Sequence, residues 1–243
     1  MVRLPARLMS KLAKTRIAQI FNSVPLDPLL HCVDPTEVLH PGSAAPVSRE
    51  KMHALVANRA PVIWIGGSEA LLHAGISHFV RAIAQSGHYV FLETVGTSLR
   101  RRIHEFQPLR ELFLVVRLNS LQAPESALAV EGLRAARLSG FFTVIHSPVH
   151  EDSVGTQLTA LQSLVEEKDV DGWLITAAAP EELVVRKAAQ ARALIRSSFW
   201  RQFSEHVEEA LLSQAPARES RDAQGFDPED VHTEAGEEGV RIA

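Results

Sequence analysis

The sequence predicts an α/β fold in which a parallel sheet is covered by helices. Two observations support this prediction: short β-branched or aromatic apolar runs recur along the chain, and each is followed by a stretch of helical periodicity. The runs are apolar on both faces, which is typical of strands buried between helices and joined by right-handed βαβ connections. The predicted strands are residues 29–34, 62–65, 89–94, 112–118, 141–146 and 173–177.

Helices are predicted between these strands and after the last one. They cover residues 48–58, 75–86, 97–105, 124–138 and 153–168, and a long C-terminal helix is predicted over 180–212. Six such units form either an open doubly wound sheet or a partial (βα) barrel, and periodicity alone does not distinguish the two. In both architectures ligands bind at the carboxyl ends of the strands, so candidate functional residues are expected there.

Composition limits the class of protein further. A chain of 243 residues with 46% hydrophobic content can bury one sizeable core. Its single cysteine, Cys32, excludes a disulfide framework and indicates a reducing, cytoplasmic location. The net charge of −4 argues against a nucleic-acid partner. No uninterrupted run of about 18 apolar residues occurs, so no transmembrane segment is expected.

Three regions are expected along the chain. Residues 1–24 are predicted to form a basic amphipathic helix, residues 25–212 the main domain, and residues 213–243 a disordered acidic tail. A basic helix such as that within residues 1–21 can lie on an anionic membrane surface, or it can pack its apolar stripe against the domain. The second interpretation is the more common one.

The ends of the first four predicted strands carry an ordered series of polar and glycine-rich segments. They read DPT at 34–36, GGSEALLH at 66–73, TVGT at 94–97 and RLNS at 117–120. This series resembles the radical S-adenosylmethionine (SAM) enzymes, in which the corresponding ends read as a GGEP turn followed by LLH, a TNG turn and an SLD segment. The resemblance covers roughly residues 25–182 and implies the six-unit partial (βα) barrel of that family.

The resemblance also implies where SAM would bind, and where the family's cofactor is missing. The implied SAM contacts are Gly66, Gly67, Ser68, Thr94 and Asn119. The family's three-cysteine cluster motif corresponds here to Leu39, Ser43 and Pro46, none of which supplies a thiolate. No [4Fe–4S] cluster and no resident cofactor are therefore expected, and SAM remains a candidate ligand.

Further departures alter the implied SAM site. One extra residue displaces Glu69 from its place in the family's second turn, and Val95 replaces the Asn of the third turn. Arg117 and Asn119 replace the Ser and Asp of the fourth segment. Arg117 would place a fixed positive charge near the position of a sulfonium.

Other polar side chains are candidates for catalysis or metal binding. Glu69 and the group that follows the fifth strand are the acid–base candidates; that group comprises His146, His150 and Asp152. Three histidines near the first strand, His31, His40 and His53, lack i, i+4 pairing and a carboxylate pattern, so no metal site is predicted.

Two functional hypotheses follow. The first is a radical-SAM-like pseudoenzyme that lacks cluster ligands and acts as a scaffold for a ligand or for a protein partner, such as an active radical SAM relative. The second is a cluster-independent enzyme that uses the polar residues at the strand ends, because a scaffold does not dictate its chemistry. A third possibility is that a partner supplies the missing cluster ligands.

Overall fold

The computed structural model describes residues 6, 8–10, 13–14, 28–39, 48–153, 155–166 and 170–222. One six-stranded sheet forms its centre, and the strand order β1-β2-β3-β4-β5-β6 follows the chain. All five strand pairs are parallel. The strands are Leu30–Val33 (β1), Val62–Ile65 (β2), Tyr89–Thr94 (β3), Leu112–Arg117 (β4), Phe142–Val149 (β5) and Gly172–Ala177 (β6).

Helices connect the strands and cover the sheet. In chain order they are Pro35–Val38 (α1), Arg49–Val56 (α2), Ile76–Gln85 (α3), Leu99–Arg102 (α4), Ser126–Leu138 (α5), Gly155–Glu166 (α6), Glu182–Ala191 (α7) and Ser198–Asp222 (α8). Short 3₁₀ turns lie at Ala70–Leu72, Ile103–Glu105 and Arg192–Leu194.

The sequential strand order decides between the two architectures that the sequence left open. A doubly wound sheet reverses its order at a switch point, whereas here each strand pairs with the next one along the chain. The fold is the predicted six-unit partial (βα) barrel, in which the sheet curls into a half-barrel. The strand bounds agree closely with the prediction, except that β5 continues to Val149, beyond the predicted end at His146.

The inner face of the half-barrel is filled by aromatic side chains. Phe91 of β3 stacks on Phe113 of β4 with ring centroids 4.5 Å apart, and Phe113 in turn stacks on Phe142 of β5. From α8, Phe203 lies 4.9 Å from Phe91, and Trp200 meets Phe113 edge-on. Helix α8 packs on both β6 and β1, the two edge strands, and so covers the opening of the half-barrel.

Helix α8 also satisfies the open edge of β6 through side chains spaced four residues apart. Trp200 donates its indole N–H to the Asp171 carbonyl at 2.9 Å. Ser204 Oγ accepts from Ile175 N at 3.2 Å, and the Glu208 carboxylate accepts from Ala177 N. An edge strand otherwise exposes unpaired backbone groups, so this stripe takes the place of a seventh strand.

The C-terminal helix differs from its prediction. The single helix expected over 180–212 is two helices, α7 and α8, separated by residues 192–197. At the interruption the buried Arg192 guanidinium donates to the Ile175 carbonyl at 3.0 Å and pairs with Glu208. The end of α8 lies at Asp222, inside the predicted tail, and residues 223–243 lie outside the described residues.

Six residues of the predicted N-terminal helix are among those that the structure describes. Residues 6, 8–10, 13 and 14 are helical, and Leu8 is fully buried among the core side chains. The rest of residues 1–24 lies outside the described residues. None of the helices within the described part of the chain is long and apolar enough to cross a membrane.

Replacing Gly172 with alanine is expected to destabilise the fold. A Cβ at this position would lie 2.2 Å from the Trp200 ring, so the packing of α8 on β6 would have to shift. We expect the free energy of unfolding, measured in urea, to fall by about 1–3 kcal/mol, the usual cost of overpacking a core. Gly155→Ala is the matched control, because a Cβ there meets nothing within 4 Å. Equal stability of the two variants would contradict this packing.

Candidate functional site

The carboxyl ends of the first three strands are joined by two carboxylates. Asp34, after β1, accepts hydrogen bonds from Thr36 and from both the hydroxyl (2.7 Å) and the backbone N–H (3.2 Å) of Ser68. Burial raises the pKa of Asp34, but the hydrogen bonds from Thr36 and Ser68 outweigh burial and hold the pKa below its usual value. This contact, the first strand-end clamp, ties the end of β1 to the end of β2.

Glu69 forms the second strand-end clamp. Its Oε1 accepts from Leu71 N at 3.1 Å and from the Thr94 hydroxyl at 2.5 Å, and its Oε2 accepts from Val95 N at 2.7 Å. Thr94 Oγ1 accepts in turn from Gly96 N. Both carboxylate oxygens of Glu69 are therefore engaged in holding the end of β2 against the end of β3.

A second group of polar side chains lies on the inner face, below the clamps. Glu93 Oε1 lies 2.6 Å from His146 Nδ1, and His146 Nε2 lies 2.9 Å from the Thr176 hydroxyl. Arg117 Nε is 3.5 Å from the same Glu93 oxygen. These four side chains, from β3, β4, β5 and β6, are called the inner cluster below.

The inner cluster is buried apart from Arg117. The exposed fractions are 5% for Glu93, 3% for His146 and 0% for Thr176, whereas the Arg117 side chain is 33% exposed. A buried carboxylate is costly unless it is paired, and His146 and Arg117 supply that pairing. Burial raises the pKa of Glu93, but His146, Arg117 and the hydrogen bond to His146 outweigh burial and keep the pKa below the usual range.

Gly66 provides the space for this carboxylate. A Cβ on Gly66 would lie 2.4 Å from Glu93 Oε2 and 2.7 Å from Trp64 Nε1. The Trp64 indole N–H is buried beside the carboxylate without a hydrogen bond of good geometry. The first glycine of the predicted SAM turn thus admits the Glu93 side chain to the inner face. The second, Gly67, adopts φ = +106°, a conformation that favours glycine.

The structure separates the four predicted acid–base candidates. Glu69 is engaged in the second clamp, and His146 lies inside β5 in the inner cluster. His150 and Asp152 are exposed in the turn after β5, where His150 N donates to Ser153 Oγ. These four side chains do not hydrogen-bond to one another, so the geometry assembles no single site from them.

The predicted SAM contacts are also divided between different roles. Ser68 and Thr94 are engaged in the clamps, and Gly66 lies against Glu93. Asn119 follows β4, and its Oδ1 is buried without a hydrogen-bond partner. Among these five residues, only Asn119 presents a side-chain atom that is buried and unpaired.

Sequence analysis missed Glu93 and Thr176, although one signal was available for Glu93. A glutamate in a strand that is apolar on both faces is unusual, because buried charges require a partner. The signal does not identify that partner, since His146 is 53 residues away along the chain.

Within the described residues, no group of three or more His, Cys, Asp or Glu side chains could hold a metal ion. Cys32 is buried in β1, and Leu39, the first position that corresponds to the cluster motif, is a buried core residue. Of the three histidines considered as ligands, His31 lies in β1 and His53 is exposed on α2. Positions 40, 43 and 46 lie outside the described residues.

A cavity of about 360 Å³ lies at the opposite end of the sheet. Trp173 and Trp200 line it, together with the ion pair between Arg137 and the buried Asp171, which immediately precedes β6. No residue predicted for the functional site lines this cavity.

Comparison with known proteins gives similarity at the level of structure. No protein-family profile and no curated protein sequence matches the chain. Streptococcus suis SuiB, solved with S-adenosylmethionine bound, aligns over 69% of this chain and 43% of its own at 13% identity, with a TM-score of 0.49. Archaeal TYW1 aligns over 47% of this chain and 42% of its own at 16% identity, with a TM-score of 0.38.

A TYW1 structure with a lysine–pyruvate adduct bound gives a similar alignment. It covers 51% of this chain and 43% of its own at 16% identity, with a TM-score of 0.38. SuiB and TYW1 are radical SAM enzymes. The chain spans less than half the length of each of these proteins, and the similarity concerns the fold alone.

The pH dependence of stability tests the pairing of Glu93. Because its pKa is lowered in the folded state, Glu93 contributes stability above the ordinary carboxyl value of 4.5, and this contribution is lost as the pH falls toward the lower folded value. The Glu93→Gln variant should therefore show a shallower decline of the free energy of unfolding below about pH 5. At pH 7 it should be less stable by about 3 kcal/mol, since His146 and Arg117 lose a buried partner.

Glu131→Gln is the control for that measurement. Glu131 forms an exposed ion pair with Arg100, so its loss should leave the acid slope unchanged. An identical slope in wild type and Glu93→Gln would contradict the lowered pKa of Glu93.

Proposed function

We propose that the protein is a radical-SAM-like pseudoenzyme that binds a small ligand at the carboxyl ends of its strands without a cluster. The single observation that carries this proposal is the engagement of Glu69, whose two carboxylate oxygens bind Leu71, Thr94 and Val95 within the chain. The acidic residue in the turn that resembles the family's SAM turn thus stabilises the barrel. The chain's one cysteine is consistent with the absence of cluster chemistry.

We also propose that a protein partner binds at the same end of the barrel. Large apolar side chains are exposed after three neighbouring strands: Leu72 after β2 (75% exposed), Val95 after β3 and Leu121 after β4. Exposed apolar side chains that follow neighbouring strands at one end of a sheet favour contact with another protein. An active radical SAM relative is the partner we propose for this surface.

Anaerobic reconstitution tests the proposal. Treatment with iron and sulfide should leave well under one iron per chain, with no visible charge-transfer absorbance, because three thiolates normally anchor such a cluster. Cys32→Ala is the matched control and should retain the same residual iron as the wild type, since Cys32 is buried in β1. A stoichiometric cluster in the wild-type protein would overturn the proposal.

A second candidate function is a cluster-independent enzyme, which one observation favours. His146 bridges the Glu93 carboxylate and the Thr176 hydroxyl at 2.6 and 2.9 Å, an order of groups that can activate a hydroxyl nucleophile. However, Thr176 is completely buried, so an electrophile has no access to its oxygen.

Covalent labelling distinguishes these two functions. We expect a fluorophosphonate reagent to leave Thr176 unmodified in intact-mass analysis, with a serine hydrolase in the same tube as the positive control for the reagent. Phosphonylation of Thr176, with loss of fluoride, would favour the enzyme instead.

A further inference from the structure

The N–H donors of Arg117 lack well-placed acceptors within the described part of the chain. Arg117 is the last residue of β4, and its Nε is buried without a hydrogen-bond partner. Within the described part of the chain its ion pair is with Glu93 at 3.5 Å, which is too long for a good hydrogen bond. A guanidinium carries five N–H donors, so Arg117 has capacity for another acceptor.

Two basic side chains, Arg117 and His146, also share the single negative charge of Glu93 unequally. In the β4–β5 register Arg117 pairs with His146, so the two basic side chains are neighbours on the inner face. Both are close to the same oxygen of Glu93, and His146 is the nearer, at 2.6 Å against 3.5 Å. The Glu93 carboxylate therefore interacts mainly with His146. The positive charge of the partly exposed Arg117 guanidinium is only weakly balanced by it.

A second unmatched atom lies two residues further along the chain. Asn119 Oδ1 is buried and accepts no hydrogen bond. A buried acceptor without a donor is unfavourable, and native structures usually satisfy such atoms with protein, water or ligand. The end of β4 therefore carries an arginine with unused donor capacity and, two residues further on, a buried amide oxygen without a donor.

We propose that the carboxyl end of β4 is an oxyanion site, at which Arg117 binds the carboxylate or phosphate of a small molecule. This inference rests on the proposed function and names its ligand class. SAM carries a carboxylate but also a sulfonium cation, which a fixed guanidinium repels, so the site favours small molecules whose only charges are anionic.

The test uses inorganic phosphate as the probe, followed by ³¹P NMR line width at constant ionic strength. Wild-type protein should broaden the phosphate signal in a saturable manner, and added acetate should reverse the broadening if the site recognises oxyanions in general. Failure of acetate to compete would overturn the carboxylate arm and assign the site to phosphate. Arg117→Gln should weaken phosphate binding by about tenfold or more, because it removes the charge-assisted contact.

Two further variants distinguish a loss of phosphate binding from a loss of folding. Arg110→Gln removes the same charge from an exposed arginine ahead of the amino end of β4, and it should bind phosphate like the wild type. Asn119→Asp adds a carboxylate near Arg117 and should abolish phosphate binding while the circular dichroism spectrum is unchanged. Equal broadening by wild type, Arg117→Gln and Asn119→Asp, or no broadening by the wild type, would overturn the inference.

Calorimetric titration with SAM separates this inference from the proposed function. SAM binding by a protein that does not bind phosphate would overturn the oxyanion site and leave the ligand-binding scaffold in place. A stoichiometric cluster after reconstitution would overturn the proposed function, whatever the phosphate signal shows.

Discussion

The structure depends on the way in which helix α8 closes the half-barrel. Six parallel strands that curl without meeting leave an apolar inner face and two open edges, both unfavourable in water. Phe203 and Trp200 fill the inner face, while Trp200, Ser204 and Glu208 bond the free edge of β6. One helix thus meets both requirements, and Gly172 is needed because the Trp200 ring occupies the place of a side chain.

Helix α8 covers the inner face, and the polar residues considered for function lie toward the carboxyl ends of the strands. There the chain uses Asp34 and Glu69 to join neighbouring strand ends, with oxygens that a ligand could otherwise have used. Polar residues at a binding edge thus have two alternative uses, namely contact with a ligand or contact with the next strand. In this protein the polar residues at the ends of β1, β2 and β3 mainly contact the next strand. The end of β4 instead retains polar atoms without hydrogen-bond partners.

The buried carboxylate of Glu93 links the inner face of the barrel to the carboxyl ends of its strands. It needs His146 for charge and hydrogen bonding and Gly66 for space. These requirements connect β2, β3 and β5, because an ionised group at this depth is tolerated only with partners in place. The inner cluster therefore constrains which side chains can occupy the inner face, and it leaves Arg117 as the partly exposed charge.

The sequence by itself determined the elements of the fold. Five of the six strands begin and end within one residue of the prediction, because apolar runs and helical periodicity are local properties of the chain. It also indicated that the strand ends carry the polar residues and that the chain, with one cysteine, lacks the canonical set of cluster cysteines. It failed at the C-terminal helix, which is divided at residues 192–197, where Arg192 contacts Ile175 and Glu208.

Only the tertiary structure decided what the polar residues do. Glu69 looks like a ligand contact in sequence, yet the approach of β3 supplies Thr94 and Val95 to both of its oxygens. Glu93 and His146 meet because the β3–β4 and β4–β5 registers bring residues 53 apart to one inner face. The physical reason is that the chain pattern fixes which residues are buried, whereas pairing between buried groups depends on strand register and the curl of the sheet, which are long-range properties.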